Sequence, residues 1–337
     1  MNMSANGESL FEAFLNKHDD NAWSEILHKL LPSIHEVDKT ATQIWFYFYP
    51  LALLRALQQA EDPQTLITKL ALQGNYYLKD QIDSSHEFIY GTRYWPQVKA
   101  AVTEYAASAS GPSSLDLSTQ IRELAQTVAS RIKVDESLLV GITAVAFMTL
   151  QQVGAAAFKA SPGTIRKLPS RTPEQILKMR EKDDGQGLLG FLKGADKVYT
   201  VTFDENDRDA KFKLINSQHI TTAAANDKRD YHSRDPRCVV GEGPIPIECR
   251  TAACGTCWVG VLGGVDKLSE VAGTEWRRIK EFGYINTDEP KPLIRLACQA
   301  QAHGAVSIVI PPWNGNFGRY LQGYKSLLEE EEIKSER

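Results

Sequence analysis

The chain has 337 residues, of which 42% are hydrophobic and 9% aromatic, and this composition excludes a mainly disordered protein. Its formal charge of −4 gives no sign of the basic surface that nucleic-acid binding requires, so we expect no nucleic-acid partner. A chain of this length predicts about two domains.

The first residues lack a basic stretch followed by an apolar stretch, which argues against a secretory signal. We therefore expect a cytoplasmic protein. In that reducing compartment, closely spaced cysteines more often bind metal or perform redox chemistry than form disulfides.

Residues 1–160 carry apolar residues at three- to four-residue spacing, which is typical of helices that bury one face. The pattern occurs at 10–15, 23–31, 43–59, 63–72, 93–105, 117–132 and 138–158. It predicts an all-helical domain of six to eight helices, to which the sequence assigns no role.

The stretch 138–158 contains no charged residue and is long enough to cross a bilayer. Its paired Gln151 and Gln152, and its many small residues, favour a buried core helix. A membrane span remains the alternative, but we expect no association with a membrane.

Residues 161–194 are rich in Pro, Gly and charge, which predicts a connector with one helix at 173–182, capped by Thr172. Its segment 185–190, GQGLLG, matches the G-x-G-x-x-G letters of dinucleotide-binding loops. Charged residues precede these glycines and a strand follows them, so the strand-glycine-helix context of a nucleotide site is missing.

Residues 195–337 carry strand patterns instead. Runs dense in β-branched residues predict strands at 197–203, 210–215, 257–262 and 305–312. Helices are expected only at 219–227, at 273–283 and at the C-terminal stretch 318–332. The chain as a whole is therefore expected to be α+β, with a mixed sheet in its C-terminal half.

Four of the five cysteines form a candidate ligand set. Cys249, Cys254 and Cys257 have the spacing C-x4-C-x2-C, and Cys298 follows at a distance. Structural zinc sites usually combine two closely spaced pairs, whereas three ligands on one loop and one far away fit an iron–sulfur cluster better. Structural zinc and unrelated buried or disulfide-bonded cysteines remain the alternatives.

Small residues separate the three clustered cysteines, so backbone N–H groups can approach the sulfurs of a negatively charged cluster. Gly255 can adopt positive φ, and the Thr256 hydroxyl could reach a sulfur. Both residues are therefore candidates for hydrogen bonding around a cofactor.

The cysteine loop, together with LACQAQ at 296–301 and the strand pattern over 197–312, resembles the plant-type [2Fe–2S] ferredoxin family. The resemblance implies one [2Fe–2S] cluster per chain, with Cys249 and Cys254 on one iron and Cys257 and Cys298 on the other. It also implies a β-grasp fold, in which a mixed sheet packs on the helix at 219–227. The expected organisation is an all-helical domain (1–160), a connector (161–194) and a β-grasp ferredoxin-like domain with a C-terminal helix (195–337).

The sequence departs from the family at three places. Ala252 stands where the family usually has Gly, and the stretch from Cys257 to Cys298 is longer than usual, which we assign to an inserted helix at 274–282. The segment 227–247 is also long and contains Cys238, which we interpret as a plain buried or surface thiol. Insertions in surface loops cost little, so the ligand set stands.

This resemblance predicts a one-electron transfer protein that shuttles electrons between a reductase and an acceptor enzyme, without substrate turnover of its own. Residues 250–253 and Thr256 should lie at the surface over the cluster. A [2Fe–2S] redox sensor with a helical output domain and a structural zinc-binding interaction protein are the alternatives. The sequence does not assign an oligomeric state.

Overall fold

The computed structural model describes residues 10–108, 115–166, 170–181, 197–284 and 289–318. The helices in these ranges are α1 Leu10–Leu15, α2 Asp20–Leu30, α3 Glu36–Phe48, α4 Leu51–Gln59, α5 Pro63–Lys69, α6 Trp95–Ser108, α7 Leu117–Ile132, α8 Ser137–Val153, α9 Ala155–Ala160, α10 Pro173–Glu181, α11 Ile220–Ala224 and α12 Gly273–Phe282. The strands are β1 Gln73–Gly74, β2 Val198–Thr202, β3 Lys211–Ile215, β4 Gln218–His219, β5 Trp258–Gly263, β6 Ile294–Leu296, β7 Gln301–Ala302, β8 Val306–Val309 and β9 Trp313–Asn314. The segment 185–190 and, after Gly318, the expected C-terminal helix lie outside the described residues.

The chain forms two compact units. The first comprises Met1–Leu54 and Tyr77–Leu177, and the second comprises Arg55–Tyr76 and Lys178–Arg337. Residues 55–76 thus belong to the second unit, although the sequence predicts them to be part of the N-terminal helical domain. The N-terminal region is helical and the C-terminal half contains a mixed sheet, so the α+β expectation is confirmed at this level.

Helix α8 lies at the centre of the first unit, where α3, α6 and α7 pack against it. Every residue from Leu139 to Gln151 is buried, which explains why its sequence is apolar on all sides. Within the described residues, every helix is too short or too polar to cross a membrane.

Two of the predicted helices are each divided in two. The stretch 43–59 is interrupted at Pro50, which lacks the N–H that a helix interior needs, so α3 and α4 are separate. The stretch 138–158 is interrupted at Gly154, whose φ of 81° is incompatible with a continuing helix and separates α8 from α9. The described part of residues 1–160 therefore contains nine α-helices, and the prediction of six to eight is wrong.

The predicted cap of the connector helix is confirmed. The Thr172 hydroxyl accepts a hydrogen bond from Gln175 N at 3.3 Å, and Gln175 Oε1 accepts one from Thr172 N at 3.0 Å. This reciprocal arrangement is a capping box, in which two otherwise unpaired N–H groups at the start of α10 find acceptors.

The main sheet of the second unit has the strand order β3-β2-β8-β5-β6. Strands β2 and β8 are parallel and the other neighbours are antiparallel, so the sheet is mixed, as expected. All four predicted strands are present, whereas β6 was not predicted. Helix α11 packs against β3, and two short pairings, β4 with β7 and β1 with β9, lie outside this sheet.

Candidate metal centre

The pairing of β5 with β6 brings distant cysteines together. Strand β5 begins at Trp258, directly after Cys257, and β6 ends at Leu296, just before Cys298. Trp258 and Leu296 are opposite each other in the antiparallel register, and Ala297 N donates a hydrogen bond to Cys257 O at 3.0 Å. Cys257 directly precedes β5, and Cys298 follows β6. Because the first residue of β5 pairs with the last residue of β6, the two cysteines are neighbours.

The loop from Cys249 to Cys257 turns through two residues with positive φ. Ala252 has a φ of 59° and Gly255 a φ of 74°, both in the left-handed region that favours glycine. A Cβ at Gly255 would lie 2.8 Å from Asn316 Oδ1 and 3.0 Å from the Phe282 ring, so this position also needs glycine for space. Ala252 takes the left-handed conformation at the position where the resemblance to ferredoxins led us to expect glycine.

The four thiols of the predicted ligand set come together as two pairs. Cys257 and Cys298 each shift the pKa of the other's thiol, and Cys254 lowers the pKa of Cys249. Within the described ranges, no group of three or more His, Cys, Asp or Glu side chains has the geometry of a single metal-ion site. Cys254 also raises the pKa of Cys257, so the two pairs lie next to each other.

Pairs of thiols are what a [2Fe–2S] cluster requires, because each of its two irons takes two protein ligands. The chain also offers donors to the sulfurs. Ala253 N donates to Cys249 Sγ at 3.3 Å, the backbone N–H groups of Thr251 and Cys254 lower the pKa of that thiol, and the Ala252 N–H lowers the pKa of Cys298. Thiolate and sulfide charge needs such donors, so the residues present fit an iron–sulfur cluster.

Hydrogen bonding within the pairs changes the acidity of the thiols. The bond from Cys257 lowers the pKa of Cys298 to about 6, against the opposing effect of burial. The same bond, together with burial, raises the pKa of Cys257 well above its usual range. Burial alone would raise the pKa of Cys249, but the surrounding N–H and thiol donors outweigh it and lower that pKa. A lowered thiol pKa in each pair suits metal binding, for which the deprotonated sulfur is the ligand.

Thr256 lies between the second and third cysteines. Its hydroxyl oxygen is 3.1 Å from Cys254 Sγ and accepts a hydrogen bond from Glu248 N, also at 3.1 Å. The hydroxyl is thus within reach of a sulfur and at the same time fixes the start of the loop.

Fewer residues of the cysteine loop are exposed than expected. Arg250, Thr251 and Ala253 are exposed, but Ala252 and Thr256 are buried, so the prediction that both lie at the surface is wrong. Ala252 lies at a left-handed turn of the loop, and the Thr256 hydroxyl bonds within the loop.

Three further residues at the site were not predicted. Gln299 Nε2 donates to Arg250 O at 3.1 Å and to Cys298 Sγ at 3.4 Å. Glu242 forms an ion pair with Arg250. Tyr284 reaches the loop from the segment that follows α12. Of these three, only Gln299 had a signal in the sequence, because it is a polar donor directly after Cys298.

Cys238 and Trp258 are both buried. Cys238 is buried, its thiol donates to Pro244 O at 3.3 Å, and burial raises its pKa to about 11. The Trp258 ring is fully buried and stacks on Tyr284, with centroids 4.0 Å apart and planes at 12°. It also contacts the Trp313 ring at 5.2 Å. Cys238 is thus a buried thiol bonded to the backbone, and Trp258 contributes to packing beside Cys257.

Comparison of the chain with protein-family models, with curated proteins and with solved structures gives no match in any of the three.

Proposed function

We propose that this chain is a one-electron transfer protein whose C-terminal unit holds a single [2Fe–2S] cluster. Cys249 and Cys254 would bind one iron, and Cys257 and Cys298 the other. The observation that carries the proposal is the convergence of the thiols. The pairing of β5 with β6 brings Cys298 beside Cys257, more than forty positions earlier in the sequence, and the thiols interact in the two-by-two set that the ferredoxin resemblance implies. The pairing comes with N–H donors directed at the sulfurs.

The sheet supports a β-grasp assignment for this unit. In the strand order β3-β2-β8-β5-β6, the first and last long strands, β2 and β8, are parallel neighbours, and α11 packs on the sheet beside β3. The helix is also joined to the fourth ligand's segment, since Thr221 N donates to Ala297 O at 3.1 Å. A mixed sheet with a helix packed against it is part of what the ferredoxin resemblance implies, and this supports the proposal, with α12 as an insertion.

A bound cluster supplies reversible one-electron chemistry. The protein would hold the four sulfurs in place and donate hydrogen bonds to them, and the buried Trp258 and Tyr284 rings stack on each other next to the loop. Cys257 and Cys298 are buried, whereas Cys249 and Cys254 are partly exposed beside Thr251 and Ala253. Electrons would therefore enter and leave at the Cys249–Cys254 side. A reductase and an acceptor enzyme would be the partners, and no substrate would be turned over.

The test is metal and sulfide analysis of the full chain purified without oxygen. We expect two irons and two acid-labile sulfides per chain, and a rhombic EPR signal after reduction with dithionite. Cys298→Ser should lose this signal and most of the iron. Cys238→Ser makes the same change at a buried cysteine outside the set and should keep both.

Other outcomes would replace the proposal with one of its alternatives. Zinc without sulfide in the full chain would indicate a structural zinc module. A cluster whose reduction changes the oligomeric state or partner binding on a sizing column would favour a redox sensor. Reversible reduction at constant size supports an electron carrier.

A further inference from the structure

Tyr284 places a phenol against the backbone of the cysteine loop. Its side chain is buried, and its Oη lies 2.5 Å from Gly255 O and 2.9 Å from Gly315 O. Gly255 is between the second and third cysteines of the candidate ligand set. A phenol carries one proton, which these two carbonyls share.

The end of α12 delivers this side chain. The helix terminates at Gly283, whose φ is 83° and whose N–H donates to Ile279 O and Lys280 O. A Cβ at Gly283 would lie 2.6 Å from the backbone of Gly318, so only glycine lets the chain turn there. The next side chain then points inward and stacks on Trp258.

The other end of α12 is bonded to the strand that leads to Cys298. Glu275 Oε1 accepts hydrogen bonds from Arg295 Nε and Leu296 N, each at 2.9 Å, and its Oε2 accepts one from Arg295 Nη2 at 2.9 Å. Both charged side chains are fully buried. One inserted helix therefore contacts the strand before the fourth cysteine at its start, and the three-cysteine loop after its end.

The hydrogen bond from the Tyr284 hydroxyl to Gly255 O fixes the orientation of the whole Gly255–Thr256 peptide group. In a planar trans peptide the C=O and N–H groups point in opposite directions, so holding Gly255 O inward turns Thr256 N–H away from α12. Glycine at this position has wide backbone freedom, and without an external partner the peptide could rotate.

We propose that Tyr284 is a positioning residue that fixes the Gly255–Thr256 peptide, and with it the geometry of Cys254 and Cys257 and the reduction potential of the cluster. This inference rests on the proposed function for its effect on potential. The peptide itself is held whether or not a cluster is present. Removing the phenol proton therefore has a consequence in both forms of the protein.

The first experiment is a redox titration of the full-length Tyr284→Phe protein, which retains the ring on Trp258 and loses only the hydroxyl. We expect unchanged iron and sulfide, and a lower midpoint potential, because a loop that can rotate offers less N–H donation to the more negative reduced cluster. The ratio of reduced to oxidised cluster at fixed potential should fall several-fold, where tenfold equals 59 mV for one electron.

Tyr231→Phe is the matched control, since it removes a phenol bonded to Asp227 Oδ2 at 2.7 Å in the same unit. It should leave the potential unchanged. If the ratio of reduced to oxidised cluster at a fixed potential differs by less than twofold between wild type and Tyr284→Phe, the inference is wrong.

The second experiment needs no cluster. In the metal-free full chain, alkylation of Cys254 by iodoacetamide should be several-fold faster in Tyr284→Phe than in wild type, while buried Cys238 reports any general loosening of the unit. An equal increase at Cys238, or no increase at Cys254, would overturn the inference. A chain that contains no cluster would refute the proposed function alone, because this second measurement would still decide the role of Tyr284.

Discussion

Acidification is expected to destabilise the helical unit through His86. This side chain is fully buried, its Nδ1 lies 2.8 Å from Thr92 Oγ1, and its ring centroid is 4.0 Å from that of Trp95. Burial lowers the pKa of His86 from 6.5 to about 3, because the interior cannot solvate the imidazolium ion, and the nearby Asp83 carboxylate only partly offsets this.

The sign follows from where each state binds the proton. As the pH falls, the unfolded chain protonates His86 near pH 6.5, whereas the folded chain does so only near pH 3. Between these values the unfolded state binds more protons, so the free energy of unfolding falls with pH. The shift of about 3.5 units, at 1.36 kcal/mol each, corresponds to a total loss of about 5 kcal/mol, of which roughly 2 kcal/mol is already lost at pH 5.

Urea denaturation followed by far-UV circular dichroism at about pH 7 and pH 5 measures this loss. His86→Asn removes the titration and retains an amide that can bond to Thr92, so wild type should lose roughly 2 kcal/mol more than this variant between the two pH values. His28→Asn makes the same replacement at an exposed position of α2 and reports the effect of the substitution itself. Equal losses in wild type and His86→Asn would refute the reasoning.

Three further changes test the packing by urea denaturation. Ala252→Gly should stabilise the second unit by up to about 1 kcal/mol. The change relieves about 1–2 kcal/mol of left-handed backbone strain, but glycine also raises the entropy of the unfolded chain, which offsets part of the gain. Destabilisation would contradict this prediction. Glu275→Gln leaves a fully buried guanidinium without its charge partner and should cost about 3–5 kcal/mol, whereas Glu281→Gln on the same helix, with a partly exposed carboxylate, should cost less than about 1 kcal/mol. Trp23→Phe removes the donor that lies 2.6 Å from Gln151 Oε1 and should cost about 1–3 kcal/mol; a midpoint equal to wild type would show that this buried oxygen finds another donor.

Local patterns predicted the main elements of both halves of the chain. Strands β2, β3, β5 and β8 have alternating or continuous β-branched runs, and α7 begins and ends at the residues that its periodicity indicates. The candidate ligand set was also proposed from the sequence, because C-x4-C-x2-C is a local spacing. Cys298 was included as a distant fourth cysteine, but its place beside Cys257 depends on the register of β5 with β6, which joins residues far apart in sequence.

The remaining features depend on long-range contacts or on single residues. Strands β1 and β9 have two residues each, too few for any periodicity, and they form only because they pair with each other. Gly154 and Pro50 end helices inside apolar runs whose periodicity continues past them. Tyr284 contacts Gly255 across 29 positions, and nothing in the letters around it distinguishes it from an ordinary aromatic core residue.

The membership of residues 55–76 in the second unit affects the order in which that unit can be completed. Asn75 N donates to Pro312 O at 2.8 Å and Asn316 N to Leu70 O at 2.7 Å, so these backbone groups pair across about 240 positions. During synthesis the earlier segment leaves the ribosome long before its partner exists, and closing so large a loop is slow. The cysteine-bearing unit therefore reaches its final form only after almost all of this sequence has been made, and a fragment starting near residue 190 would leave the pairing edge at 312–316 bare.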